Sequence, residues 1–267
     1  SPEDLLSKCD VIDVVTPTLF HHKIAMLALS NNCHVFIEKP ITKSINEAKE
    51  LIEFSHLNGL FGQVGHVERF NPAFIAAKPH ITNPMFIEAH RLAEFNSRGT
   101  DVPVVLDLMI HDIDIILSVV KSPIKSINAS GVKVISSTPD IANARIEFEN
   151  GCVANLTASR ISLKKMRKSR FFQKNAYISI DFLKQEVEIV KMKDAPQVPD
   201  EIAMILKDAE GMKKQIYFEN PIIKKSNAIL DELESFANSI KNNEKPIVDL
   251  NDGYSALSTA QKIIDSY

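Results

Sequence analysis

The sequence predicts an α/β segment built on a parallel sheet, followed by a larger α+β segment with a mostly antiparallel open sheet and flanking helices. Three observations lead there. Over residues 1–67 short apolar runs alternate with stretches of helical period, which is the pattern of parallel βαβ units. After Pro72 the chain turns to long runs of β-formers, and helix-like stretches at Val105–Val120 and near the C-terminus interrupt and close them. The expected division is therefore residues 1–67 and 68–267, in a chain of 267 residues that is long enough for two cores.

Each element has its own signal. Ser1–Leu6 carries helix-start chemistry, with Pro2 in the first turn and Glu3 and Asp4 near the positive helix end. "CDVIDVVTP" reads as a buried strand that stops at Thr16-Pro17. From Leu19 to Asn31 the apolar positions Ile24, Leu27 and Ala28 recur at helical spacing, with Asn31-Asn32 as the stop. "HVFI" is a second strand, Ser44–Leu57 a helix with Ile45, Ala48, Leu51 and Ile52 at three- and four-residue intervals, and "LFGQVGHV" a third strand. Farther on, "PMFIEAHRLAEF", "SINASGVKVIS", "ARIEFENGCVANLTASR" and "AYISIDFLKQEVEIVKM" are β-like, the third containing Asn150-Gly151, a two-residue hairpin signal. Helices are expected at Ala228–Ile240 and Tyr254–Tyr267. Ala195–Asn220, with Pro196, Pro199 and Pro221 around it, gives no clear pattern.

Bulk properties narrow the function. A net charge of −3, from 31 bases against 34 acids, supplies no positive field for nucleic acid or an anionic membrane. Cys9, Cys33 and Cys152 are odd in number and widely spaced, which fits free thiols in a reducing cytoplasm. No apolar run approaches the ~18 residues of a membrane span, and Ser1–Asp10 has no signal-peptide core.

Four groupings could carry chemistry. In "CHVFIEKPIT" Pro40 keeps Lys39 extended at the carboxyl end of its strand, the edge where open parallel sheets bind ligands. Thr16-Pro17 ends the preceding strand alike, so Thr16, Pro17, Glu38 and Lys39 share one rim; a solvated strand-end lysine is the plain alternative. In "VLDLMIHDIDIIL" Asp107 and His111 lie four apart on one helix face, continued by Asp114, while Leu106, Ile110, Ile113 and Leu117 form the apolar stripe. A carboxylate one turn from an imidazole can set its tautomer and raise its basicity for general-base work; a polar outer face would read the same way. "SRISLKKMRKSR" gathers Arg160, Lys164, Lys165, Arg167, Lys168 and Arg170, which suits a diphosphate or merely a solvated loop. The glycines of "GLFGQVG" have the wrong spacing for a dinucleotide loop and serve turns and packing; scattered His21, His22, His66 and His90 give no metal site.

Taken together, "VTPTLFHHKIAMLALSNNCHVFIEKPIT", "VGHVERFNPA" and "DLMIHDID" resemble, in order and over essentially the whole chain, the Gfo/Idh/MocA family of nicotinamide-dependent sugar oxidoreductases. Within it "GHVERFNPA", "DLMIHDID" and "LTASRIS" are most similar to the UDP-N-acetylglucosamine 3-dehydrogenase group. The resemblance implies that residues 1–67 are the C-terminal part of a Rossmann-type dinucleotide-binding sheet and that 68–267 bind substrate and associate as a homo-oligomer through the antiparallel sheet. It implies NAD or NADP as cofactor and a sugar or nucleotide-sugar as substrate, oxidised at C3. Lys39 matches the lysine beside the nicotinamide and the reacting hydroxyl, with a Lys39–Pro40 bond that is often cis. Thr16, Pro17, His21, Glu38 and Pro40 match cofactor-lining positions, and Asp107 and His111 the D-x-x-x-H pair facing substrate. Arg69, Asn71, Arg160 and Lys164 are candidates for gripping the nucleotide-sugar.

The family opens with strand, G-x-G-x-x-G and helix, and this chain has no such motif, so on that resemblance roughly 60 residues of the dinucleotide fold are expected to precede Ser1. The rival reading is a sensor or co-repressor of the same fold that binds dinucleotide or sugar without turning it over.

Overall fold

Strands of four or five residues, the first two rich in Val, Ile and Phe, set the first sheet, and the helices between them return the chain to the same edge. The computed structural model describes residues 2–96, 102–196, 204–207 and 210–267. Helix α1 (Pro2–Leu6), strand β1 (Val11–Val14), α2 (His21–Ser30), β2 (His34–Glu38), α3 (Ile45–Leu57) and β3 (Gly62–Gly65) follow in turn. All pairings are parallel in the order β1-β2-β3. Ser44 caps α3 in a reciprocal pair with Glu47, as Ser-x-x-Glu allows. The buried face of α2 is His21, Ala25, Ala28 and Leu29, one position round from the expected Ile24 and Leu27 stripe, because small residues let the helix sit close to the sheet. Ser1 and Pro199, which figured in the sequence reading, lie outside the described residues.

Next come α4 (Pro72–Ala77), β4 (Pro84–Leu92), a π-helical turn (Val105–Met109) running into α5 (Ile110–Val119), β5 (Ile124–Val132), β6 (Ile141–Phe148) and β7 (Val153–Ser159). The chain continues through β8 (Met166–Gln173), β9 (Ala176–Asp181), β10 (Glu186–Asp194), β11 (Met204–Lys207), β12 (Lys213–Glu219), α6 (Ala228–Asn242) and α7 (Leu250–Ile264). Strands β4 to β12 form a nine-stranded sheet in the order β11-β12-β10-β9-β8-β4-β7-β6-β5. Of its pairings, β4 with β7 is parallel and the others antiparallel. The Asn150-Gly151 turn is one residue longer than expected: Phe148 donates to the Cys152 carbonyl at 2.9 Å, which leaves Glu149–Gly151 as a three-residue loop with Gly151 at φ 86°.

One face of the large sheet is covered. Ile87, Ala89, Ile146, Leu156, Phe171 and Ile180 pack there against Ile110 and Ile113 of α5 and Ala256, Ala260 and Ile263 of α7. Leu250 and Leu257 of the same α7 belong to the core of the parallel sheet, with Val14, Val35, Ile37 and Val64. Helix α7 thus joins the two cores. Its Gly253 permits this, since a Cβ there would stand 2.6 Å from Val64 Cγ2. Strand residue Gln63 also bridges to Asp249, and Val64 donates to the Val248 carbonyl at 3.0 Å.

Candidate active site

The site is built where β1, β2 and β3 end. The parallel register pairs Glu38 with Gly65, so Lys39 and His66 leave the sheet side by side at its carboxyl edge. The Lys39–Pro40 peptide is cis. His21 ties this turn to the neighbouring strand end: its Nδ1 lies 2.9 Å from the Pro40 carbonyl and its Nε2 2.7 Å from the Thr16 carbonyl. Pro17 follows at φ −56° and opens a short 3-10 turn. Glu38 folds its carboxylate back to accept from the Lys39 amide at 3.3 Å, and a Cβ on Gly65 would lie 3.1 Å from that carboxylate. Burial pushes the Glu38 carboxyl above its ordinary range, against the pull of Lys39.

The π-helical turn brings the second half of the site to Lys39. Lys39 Nζ donates to the Asp107 main-chain carbonyl at 2.7 Å and stands 3.7 Å from Asp107 Oδ1. Asp107 therefore meets Lys39. Among the described residues no hydrogen bond joins its carboxylate to the His111 ring, so the expected orienting role of Asp107 on the imidazole is not what the geometry shows. The physical reason is the π-turn, which departs from the α-helical register that would stack residues four apart. His111 instead keeps a buried Nδ1 that has no hydrogen-bond partner among the described residues. Burial first, then the positive charges of Lys39, Arg91 and Arg167, push its pKa well below 6.5. Burial likewise pushes Lys39 below its ordinary 10.5, with Asp107 and Glu38 opposing. The site thus holds a neutral imidazole and an ammonium group fixed by the Asp107 carbonyl.

The other expected residues are placed differently. Arg69 is buried and makes a two-point bond to Asp114, at 2.7 and 3.0 Å, with Asp252 at 3.7 Å. Asn71 caps α4 through Ala73 N–H and donates to Glu68 and to the Phe182 carbonyl. Both side chains hold the frame and leave little for a ligand. Asp114, expected to continue the Asp107 and His111 face, is inside and bonded to Arg69, so α5 is buried on nearly every side. Arg160 is buried, with Nη2 donating to the Val102 carbonyl at 2.5 Å, while Lys164 is exposed in the loop between β7 and β8. The rest of the basic run splits by the strand period of β8, with Arg167 toward Glu68 on the covered face and Lys168 and Arg170 toward Asp181 and Glu88 on the open one.

Sequence reasoning passed over three groups. Glu68 is buried and receives Arg91 at 2.9 Å, Asn71 at 3.0 Å and Arg167 at 3.5 Å, while Arg91 also forms a two-point bond with Asp112. His66 is 1% exposed, with both ring nitrogens unpartnered among the described residues. Glu232 of α6 is 2% exposed, and burial, aided by the charges of Glu38 and Asp13, raises its pKa to about 8. The signal for the first two was the polar insert "HVER" directly after a buried strand.

Comparison with known proteins settles what this arrangement belongs to. Residues 1–66 match the profile described as "Oxidoreductase family, NAD-binding Rossmann fold", and residues 45–178 match the GFO/IDH/MocA C-terminal domain. UDP-N-acetylglucosamine 3-dehydrogenase of Acidithiobacillus ferrooxidans is 34% identical over 90% of this chain and 73% of its own length. The chain belongs to the Gfo/Idh/MocA oxidoreductase family.

It is accordingly an oxidoreductase, and the small parallel sheet is part of an NAD-binding Rossmann fold. A solved structure of the Acidithiobacillus enzyme superposes with a TM-score of 0.88 at 30% identity, covering all of this chain and 81% of that one. Scyllo-inositol 2-dehydrogenase (NAD(+)) of Bacillus subtilis is 30% identical over 57% of this chain and 49% of its own length. Scyllo-inositol dehydrogenase from Lactobacillus casei, solved with NAD(H) and scyllo-inositol, shares the fold at a TM-score of 0.76 and 21% identity, over all of this chain and 81% of that one. The rim fits a nicotinamide dinucleotide. Among the described residues Thr16 Oγ1 is buried with no hydrogen-bond partner, as a group awaiting a polar ligand is, and Lys39 supplies a cationic donor at the end of the neighbouring strand. Thr16, Pro17, Glu38 and Lys39 are the residues of this chain that would hold its nicotinamide end. No helix is long and apolar enough to cross a membrane, and no group of His, Cys, Asp and Glu suits a metal ion, both among the described residues.

Proposed function

We propose that the protein oxidises a sugar hydroxyl, at C3 of a UDP-N-acetylhexosamine, with NAD or NADP as the acceptor. The observation that carries this reading is Lys39 held on the Asp107 carbonyl at the carboxyl edge of the parallel sheet, with the buried, unpartnered His111 four residues farther along the same turn and helix, in a chain 34% identical to a UDP-N-acetylglucosamine 3-dehydrogenase. When bound, the nicotinamide supplies the hydride acceptor. His111, kept neutral by burial and by the surrounding cations, takes the proton from the sugar hydroxyl as the carbon–hydrogen bond breaks. Lys39, fixed by the Asp107 carbonyl, donates to the same oxygen as negative charge develops there, and such a donor contributes a few kcal/mol. Asp107 positions Lys39. The unsatisfied donors and acceptors of the rim favour turnover over the sensor reading, because a pure binder needs no neutral base beside an ammonium.

The open face of the large sheet carries half-exposed aromatics, Phe86, Phe172 and Tyr177, and associates with a second copy. Cys9, Cys33 and Cys152 are free thiols, in keeping with a reducing cytoplasm. The test follows reduced-nicotinamide absorbance with full-length protein, NAD+ or NADP+ and a panel of UDP-sugars and inositols. UDP-N-acetylglucosamine is expected to turn over, with a product two hydrogens lighter that carries a ketone at C3. Turnover of inositol alone would overturn the substrate, and turnover of nothing in the panel would overturn the reaction.

A further inference from the structure

The register of β4 with β8 sets Arg91 directly opposite Arg167 on the covered face of the large sheet. The two guanidinium groups differ sharply in their surroundings. Arg91 has 3% of its side chain exposed and three carboxylate contacts no longer than 3.0 Å, from Asp112 and Glu68. Arg167 has 49% of its side chain exposed and reaches one oxygen of Glu68 at 3.5 Å. Glu68 in turn is fixed from behind by Arg91 and Asn71. The hub therefore anchors one edge of the Arg167 fork and leaves the group half-exposed, and through Arg91 it is joined to Asp112, the chain neighbour of His111. A planar fork with free donors is the group best suited to a phosphate or carboxylate.

The chemistry of the proposed substrate says which anion belongs there. In a hexose the anomeric carbon is two ring bonds from C3, so a base at the C3 hydroxyl and a cation at the anomeric phosphate must be near neighbours in the protein. Arg160 and Lys164 fit that place less well: the first is buried and donates to the Val102 carbonyl, and the second stands out in the loop. We propose that Arg167, seated on the buried Glu68 carboxylate, is the residue that takes the sugar-side phosphate of the substrate. This assignment rests on the UDP-sugar reading and sharpens it. Glu68, Arg91 and Asn71 become positioning residues that act through Arg167, which gives the polar stretch "ERFN" a purpose beyond holding the fold.

The experiment uses full-length protein at saturating nicotinamide cofactor, with three ligands: UDP-N-acetylglucosamine as substrate, and N-acetylglucosamine 1-phosphate and the methyl glycoside of N-acetylglucosamine as competitive inhibitors. Arg167→Gln is expected to raise KM for the substrate and the inhibition constant of the phosphorylated sugar by about tenfold or more, with kcat and the methyl glycoside changed less than about threefold. Arg167→Lys is expected to recover part of the loss, since it restores charge without the fork. Equal weakening of the phosphorylated and neutral ligands, or no change in either, overturns the phosphate assignment and leaves the dehydrogenase reading standing. A wild-type protein that fails to oxidise UDP-N-acetylglucosamine overturns both. Thermal melting of each variant separates loss of the frame from loss of the contact.

Discussion

The eight residues Asp107–Asp114 hold two kinds of ionisable group almost side by side. Asp112 and Asp114 are buried, and each closes a two-point bond with an arginine. Asp107 is 44% exposed along its side chain, and His111 keeps a buried nitrogen with no partner. A buried charge left unpaired is strongly unfavourable, so complete pairing marks the first pair as frame. An unsatisfied buried group that persists is expected where a ligand completes it, which marks the second pair as site. The contrast turns one motif into two functions, and it can be broken from either side.

Breaking the site side has the largest expected effect. His111→Ala and Lys39→Met should each lower the rate of hydride transfer by roughly 10²–10⁴-fold while leaving the melting temperature nearly unchanged. Pre-steady-state absorbance measures the rate, and near-normal transfer in both variants would sink the catalytic assignment. On the frame side, Asp114→Ala removes both hydrogen bonds of the buried Arg69 guanidinium and leaves it only the longer contact with Asp252, which should cost about 3 kcal/mol of stability. Denaturant unfolding reads that loss directly. Should Asp114→Ala instead abolish turnover with full stability, the division between frame and site would be wrong.

The pH profile sharpens the same contrast. Burial and nearby cations depress His111 well below 6.5, so kcat/KM should hold through pH 6.5 and fall only in more acid solution, as the imidazole takes up its proton. Lys39 is depressed below 10.5, so the alkaline limb should begin before a free lysine would lose its proton. An acid limb centred at 6.5, that of an ordinary exposed histidine, would show that the base lies elsewhere.

How much of this was legible depends on which face a residue serves. The parallel sheet was plain because β1, β2 and β3 are buried on their packed faces and their apolar runs have little else to report. Lys39 was legible for the opposite reason: a charge and a proline at the end of such a run break the pattern. Strand β12 was not, since Lys213–Glu219 has no buried position and hence no apolar alternation. Nor was β8, whose Arg167, Lys168 and Arg170 read as one basic cluster until the pleat sent them to opposite faces and different acids. The roles of Arg69, Asn71 and Asp114 were hidden as well, because pairing across 45 residues, as between Arg69 and Asp114, leaves no local signature. The π-turn at Val105–Met109 presents the Asp107 carbonyl to Lys39, a tertiary contact that a hydrophobic period cannot reveal.

The smallest effects concern two buried groups that are neither paired like the frame nor exposed like the substrate rim. His66 has its pKa lowered by burial, so below 6.5 the unfolded chain binds a proton that the folded chain does not, and stability should fall as pH falls. Glu232 is raised from 4.5 to about 8, so the folded chain retains a proton that the unfolded chain has released, and stability should fall as pH rises across that window. His66→Phe should therefore remove part of the acid sensitivity and Glu232→Gln part of the alkaline sensitivity. Relieving the two unpartnered nitrogens of His66 is also expected to add about 1 kcal/mol near neutral pH, roughly 2–4 °C in melting temperature for a chain of this size. Melting curves at pH 5, 7 and 9 decide it. A His66→Phe variant that melts lower at every pH would mean that the ring is packed as frame after all, and the line between frame and site would then have to be moved one residue past Gly65.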